Sequence, residues 1–218
     1  MKSAAYSYGD ELLSELNISI SQGSFYFLTG PSGSGKTTFL KMCYGSLVPT
    51  SGALTIFGKE SSDLTRDEMA YLRRKIGVVH QDCQFLDHLN VNDNIALPIM
   101  VSGQNSLSDN VNLKELLNWV GLSHRSKALP PELSGGERQR AALARAIIMS
   151  PDVILADEPT GNLDSKTSFS IMGLFEKLHS EGNTIVMVTH EHDISRYAHR
   201  VIRLRDGMVE SDKENKKI

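Results

Sequence analysis

Four short apolar runs punctuate the chain: "SFYFLTG" (24–30), "KIGVVHQ" (75–81), "DVILADE" (152–158) and "NTIVMVTH" (183–190). Their apolar positions are continuous instead of alternating, which is the pattern of parallel strands buried on both faces. Each run ends in polar or glycine-rich residues. Helical stretches lie between them, at 35–45, 112–122, 137–149 and 166–182. Alternation of strand and helix predicts an α/β fold. Residues 46–60 read as a turn followed by a hairpin or edge strand. Residues 83–148 read as a mainly helical subdomain set into an α/β core made of 1–82 and 149–210. The closing "ESDKENKKI" (210–218) is polar and charged, and reads as a frayed tail.

A chain of 218 residues is one large domain, or a core with one smaller subdomain. Its formal net charge of −3 gives no global attraction to nucleic acid or anionic lipid, so anion binding must come from local geometry. The two cysteines, Cys43 and Cys83, lack metal-ligand spacing and suit a reducing compartment, where they pack as small apolar groups. The N-terminal "MKSAAYSYGDELL" has no secretory apolar stretch, and "IALPIMV" (95–101) is too short to span a bilayer. Work at a membrane would need spans supplied by another chain.

"GPSGSGKT" (30–37) fits G-x-x-x-x-G-K-S/T at every fixed position, directly after an apolar run and before a helical one. Gly33 and Gly35 let the backbone curl so that successive N–H groups point inward, and the helix N-terminus adds positive potential there. The expected phosphate cradle is Gly30, Pro31, Ser32, Gly33, Ser34, Gly35, Lys36, Thr37 and Thr38. Lys36 is expected to reach the β- and γ-phosphates, and the Thr37 hydroxyl to ligate Mg2+. The loop alone indicates a nucleoside triphosphate, as in a kinase, GTPase, helicase or transporter ATPase, and no N-K-x-D stands in a suitable place to read guanine.

"VILADE" (153–158) ends in two carboxylates. Asp157 is placed to hold Mg2+, and Glu158 to orient and deprotonate a water for attack on the γ-phosphate. His190 ends the last run, at the strand edge where ligands gather in α/β sheets. His192 is a weaker candidate. Gln81 also ends a run, and its amide can bind Mg2+ through oxygen and position water through nitrogen.

A second anion-friendly helix start follows in "LSGGERQR" (133–140), where Ser134 and Glu137 form an S-x-x-E capping box around Gly135 and Gly136. This stretch resembles the signature of the ATP-binding-cassette (ABC) ATPases. The family's other motifs occur in order: phosphate loop, Gln81, signature, "VILADE", "GNLD" (161–164) and His190. The resemblance runs from about Tyr6 to Gly207. It implies a P-loop NTPase fold: an ABC ATPase core with a mainly parallel sheet, an N-terminal antiparallel β part and an inserted helical subdomain.

It further implies Mg2+-dependent ATP hydrolysis by two copies packed head to tail. Ser134 and Gly136 of one copy then cap the γ-phosphate lying on Lys36 of the other, and Asp164 crosses the interface. Tyr6 falls where the family stacks an aromatic on adenine, with Tyr8 as the competing choice. The chain begins five residues before Tyr6, where the family has a longer first strand, which predicts a sheet edge near the adenine that is short or incomplete. His80 stands before Gln81 where relatives more often carry phenylalanine.

"LADEPTGNLD" (155–164) is similar to a stretch shared by cell-division, lipoprotein-release and macrolide-export ATPases. "FLTG" (27–30) and "FLDHLNVNDNIALPIMVSG" (85–103) lean toward the cell-division group. That resemblance implies a peripheral subunit at the cytoplasmic face of the plasma membrane, driving an integral membrane partner. Phe85, Leu86 and Leu89 either face that partner or pack within the helical subdomain. A chromosome-structuring or DNA-repair ABC protein would place a long coiled coil between its phosphate loop and signature. No such insertion fits between Lys36 and Ser134, and no nucleic-acid partner is expected.

Overall fold

The computed structural model describes residues 1–8, 11–103, 113–190 and 197–215. In chain order the elements are β1 (Lys2–Tyr8), β2 (Glu11–Leu16), β3 (Phe25–Thr29), α1 (Lys36–Cys43), β4 (Ser51–Ala53), β5 (Thr55–Ile56), β6 (Lys59–Glu60), α2 (Arg66–Arg73), β7 (Ile76–Val79), α3 (Val91–Val101), α4 (Leu113–Trp119), α5 (Gly135–Ile147), β8 (Val153–Asp157), α6 (Ser165–Ser180), β9 (Thr184–Val188), β10 (Arg200–Arg205) and β11 (Met208–Glu214). They gather into two compact units, Met1–Arg73 with Thr184–Ile218, and Arg74–Asn183.

In the first unit, β3 lies parallel to both β9 and β10, and β10 pairs antiparallel with β11. The apolar runs form these central strands because neither face meets water: β9 is buried at every position and β3 at four of five. Phe25 and Phe27 meet edge to face at 5.2 Å, and Phe39, Leu40 and Met42 of α1 are buried too. A separate antiparallel sheet runs β2-β1-β4, and β5 with β6 makes the expected hairpin.

In the second unit, β7 and β8 are parallel neighbours. Between them, residues 83–148 form helices and short 3-10 turns, with no strand among the described residues. Val91, Ile95 and Ile99 of α3 pack with Leu117 of α4 and with Ala141, Ala144 and Ile148 at α5. The alanines of α5 let its backbone approach β7 closely. A Cβ on Gly77 would lie 2.4 Å from the Ala146 carbonyl oxygen.

Three expectations need correction. The supposed tail beyond residue 210 is ordered to Glu214 as β11, whose carboxylates Asp212 and Glu210 pair with Arg200, Arg203 and Arg205 of β10. Cross-strand charge pairing holds a strand with almost no apolar content. The first strand is not a short edge: β1 spans seven residues and is paired on both sides. The signature helix starts at Gly135, two residues before the expected 137, so both glycines are helical. No described helix is long and apolar enough to cross a membrane.

Replacing Gly77 with alanine should destabilise the protein by about 1–3 kcal/mol, because backbone must move to admit the methyl group. Urea unfolding reads this, and an unchanged midpoint would contradict the close approach.

Candidate nucleotide site

The phosphate loop lies in the first unit, between β3 and α1. Lys36 is only 6% exposed, and its ammonium donates to Gly30 O at 2.9 Å and Pro31 O at 2.8 Å. A buried cation needs such partners. Gly35, with φ 92°, precedes α1 in a left-handed conformation, and a Cβ there would sit 2.2 Å from Leu13 Cδ2 of β2. At Gly30, φ 147°, a Cβ would sit 2.2 Å from Leu204 O of β10. Neighbouring strands therefore enforce glycine at both positions and hold the curl.

The buried Ser34 hydroxyl has no hydrogen-bond partner among the described residues. An orphaned donor, a curled backbone and a helix N-terminus suit a polyphosphate. Thr37 is exposed beside the loop and Thr38 is buried. His190 is exposed just past the end of β9, and the Thr189 N–H donates to Leu28 O at 3.2 Å. Phosphate loop and histidine thus leave the same edge of two adjacent parallel strands. Tyr6 is half-buried on β1, in register with Leu13, while the Tyr8 side chain and His192 lie outside the described residues.

The second unit carries the carboxylates. Gln81 follows β7, Asp157 ends its parallel neighbour β8, and Glu158 comes directly after it. The Gln81 amide Nε2 donates to Glu158 Oε2 at 3.5 Å. Glu158 itself has φ 48°, a conformation rare outside glycine and often found at working sites. The Glu158 carbonyl accepts from Gly161 N–H at 3.0 Å, closing the turn that follows β8. No cluster of three or more His, Cys, Asp or Glu side chains among the described residues could hold a metal alone. Within this unit Asp157 and Gln81 carry oxygens of the kind magnesium takes, with the rest of its shell left to water and nucleotide.

The signature forms its capping box. Ser134 Oγ accepts from Glu137 N–H at 3.3 Å, and Glu137 Oε2 accepts from Ser134 N–H at 2.8 Å and from the Ser134 hydroxyl at 2.9 Å. The Ser134 N–H holds the Glu137 carboxyl down to about 2, against the opposing effect of burial, and Arg125, at 2.9 Å, adds to the hold. Gly136 is buried, and a Cβ there would meet Thr167 Cγ2 of α6 at 2.5 Å. Asp164 caps that same helix, accepting from Thr167 N–H at 3.0 Å and from its hydroxyl at 2.6 Å. The signature glycines and "GNLD" are therefore packed together. Arg125, which neutralises Glu137, escaped the sequence reading. Its only signal there was its place twelve residues before an acid that caps a helix.

Phe85 is half-buried beneath two arginines, Leu89 is half-buried, and Leu86 is 43% exposed. His80 is half-buried, with its carbonyl accepting from Cys83 N–H at 3.0 Å. Both cysteines are free thiols, and Cys83 is buried as expected.

The ABC transporter family profile matches residues 13–161. The chain belongs to the ABC transporter family as an ATP-binding subunit, and its reaction is ATP hydrolysis. Its relatives include the cell division ATP-binding protein FtsE of Bacillus subtilis (strain 168), 41% identical over 209 residues, covering 95% of this chain and 92% of that one. FtsE of Mycobacterium tuberculosis is 42% identical over 203 residues, covering 93% and 88%. The macrolide export ATP-binding/permease protein MacB of Chlorobaculum tepidum is 44% identical over 203 residues, covering 93% of this chain but 31% of that one. The dimeric, post-hydrolysis structure of the ATP-binding cassette MJ0796 bound to ADP and Pi superposes with a TM-score of 0.89 at 37% identity, over 99% and 97% of the two chains. The α/β, P-loop NTPase architecture expected from the sequence is the observed one.

A carboxyl whose folded-state pKa lies below the usual 4.5 stabilises the fold above that value and loses the contribution as pH falls toward about 2. Glu137→Gln should therefore lower stability at pH 7 by about 1 kcal/mol, with the gap to wild type closing between pH 5 and pH 2. Thermal unfolding across that range reads it. A gap that does not change with pH would contradict the ionised capping box.

Proposed function

We propose that this chain is the ATPase subunit of a cell-division complex, working as an ATP-gated homodimer on an integral membrane partner of the FtsX type. The observation that carries the reading is the nearly end-to-end alignment with FtsE proteins, over 92% of the Bacillus subtilis chain. The subunit would sit peripherally on the cytoplasmic face of the membrane. Residues 83–148 would act as the signature-bearing subdomain, with Leu86 and its neighbours facing the partner.

In this reading Gly30 to Thr38 wrap the phosphates of ATP, Lys36 neutralises the β- and γ-oxygens, and Tyr6 stacks on adenine. Thr37, Gln81 and Asp157 would hold magnesium, which when bound supplies further neutralisation of the phosphate oxygens. Glu158 accepts a proton from water as the water oxygen attacks the γ-phosphorus in line. The bond from that phosphorus to the β–γ bridging oxygen breaks, and ADP leaves with the electron pair. His190 hydrogen-bonds the γ-phosphate and fixes its orientation.

Ser134, Gly135 and Gly136 of the partner subunit close the other side, and Asp164 lines the seam. Because these contacts need the γ-phosphate, ATP favours the closed dimer and hydrolysis releases it. The solved MJ0796 cassette is itself dimeric with ADP and Pi, which supports this arrangement. A second reading, an export ATPase, is favoured by the 44% identity to MacB.

Glu158→Gln should slow ATP turnover by about 10²–10⁴-fold and accumulate an ATP-bound dimer. Sedimentation at micromolar protein reads the second effect, and a persistent monomer with ATP would overturn the gate. Co-purification from membranes separates the two readings. Recovery of a four-span membrane protein supports the cell-division role, whereas one carrying a large periplasmic export domain overturns it.

A further inference from the structure

The segment that follows Gln81 is held in an unusual shape. Cys83 and Gln84 are consecutive non-glycine residues with positive φ, 60° and 43°. L-residues seldom adopt that conformation once, and two in succession persist only where surrounding contacts impose them.

Those contacts come from the signature helix. Arg145 of α5 donates through Nη2 to Cys83 O and through Nη1 to Gln84 O, the latter at 2.8 Å. Its guanidinium lies 4.8 Å over the Phe85 ring, and that of Arg138 lies 5.7 Å from the same ring. Gln139, also on α5, donates through Nε2 to Gln81 O at 3.3 Å. Beyond Phe85, Asn94 of α3 closes both ends of Leu86, accepting from its N–H at 2.9 Å and donating to its carbonyl at 3.0 Å.

Helical side chains thus hold the carbonyls of Gln81, Cys83, Gln84 and Leu86. The free end of this strap is the Gln81 side chain, which reaches Glu158 at 3.5 Å. The helix that Ser134 caps therefore grips the backbone from which the glutamine amide is aimed.

We propose that Arg145 is a positioning residue for the hydrolytic reaction: it straps residues 82–85 to the signature helix and thereby sets where Gln81 points. A lysine in its place keeps the charge but loses the planar fork that donates to two carbonyls while stacking on a ring. The strap makes Gln81 and the signature helix respond as one body, so closure on the signature is felt at Gln81 without a separate signal. This role rests on the reading of Gln81 as part of the ATPase site.

The test compares Arg145→Lys with wild type, each with and without Gln81→Ala, alongside Lys36→Ala as the inactive control. Hydrogen exchange should show amides 82–86 released in Arg145→Lys while α5 stays protected. In the native background kcat should fall about tenfold, with KM for ATP within about twofold. In the Gln81→Ala background Arg145→Lys should cost almost nothing further. An equal fold-loss in both backgrounds, or full activity with the segment released, would overturn the positioning role. If Arg145→Lys fails to fold, Phe85→Leu removes the stacking surface and is read by the same criteria. A wild type no faster than Lys36→Ala removes the reaction and with it this role, while the exchange data still report whether the strap exists.

Discussion

The curl of residues 30–35 around the Lys36 ammonium is the constraint on which the rest depends. A chain can turn its N–H groups toward one point only if side chains are absent where the backbone doubles back. The fold imposes that absence from outside. Leu13 of β2 closes the space above Gly35, and the Leu204 carbonyl of β10 closes the space above Gly30. The antiparallel sheet and the late strand β10 are therefore walls of the phosphate loop, although they contribute no chemistry. Lys36 is buried inside the curl, and its ammonium donates to two loop carbonyls.

A different logic governs the signature. Its glycines are needed first for packing: Gly136 has Thr167 against it and Gly135 has Leu163, so α5 and α6 meet at their N-termini. Close approach brings two capped helix starts together, one capped by Ser134 with Glu137 and the other by Asp164. Glu137 brings an ionised carboxylate into a turn proposed to face phosphate. Arg125 beside it offsets that charge, so the helix start remains hospitable to an anion.

The central strands were legible because burial on both faces leaves an unbroken apolar run, and α5 was legible through its capping box. What escaped was held by partners distant in sequence or by polar contacts. β11 reads as a tail because its exposed positions are charged, yet Arg200, Arg203 and Arg205 in the preceding segment match its acids across the hairpin. α2 also escaped, although Thr65 and Glu68 form its capping contacts within a T-x-x-E sequence. The residues proposed for the site stand in motifs visible along the chain. Arg145 does not, since its partners Cys83 and Gln84 lie about sixty residues away and only the fold brings them to it.

The central claim is that a complete catalytic centre needs the phosphate loop of one copy and the signature of another. The direct measurement is complementation between Lys36→Ala and Ser134→Arg, each close to inactive alone. In a mixture, half of the dimers formed would pair one defect with the other, and each such pair keeps one site with an intact loop and an intact signature. The account predicts ATPase activity in the mixture well above the sum of the separate variants. Activity no greater than that sum, with mixed dimers shown to form, would contradict it.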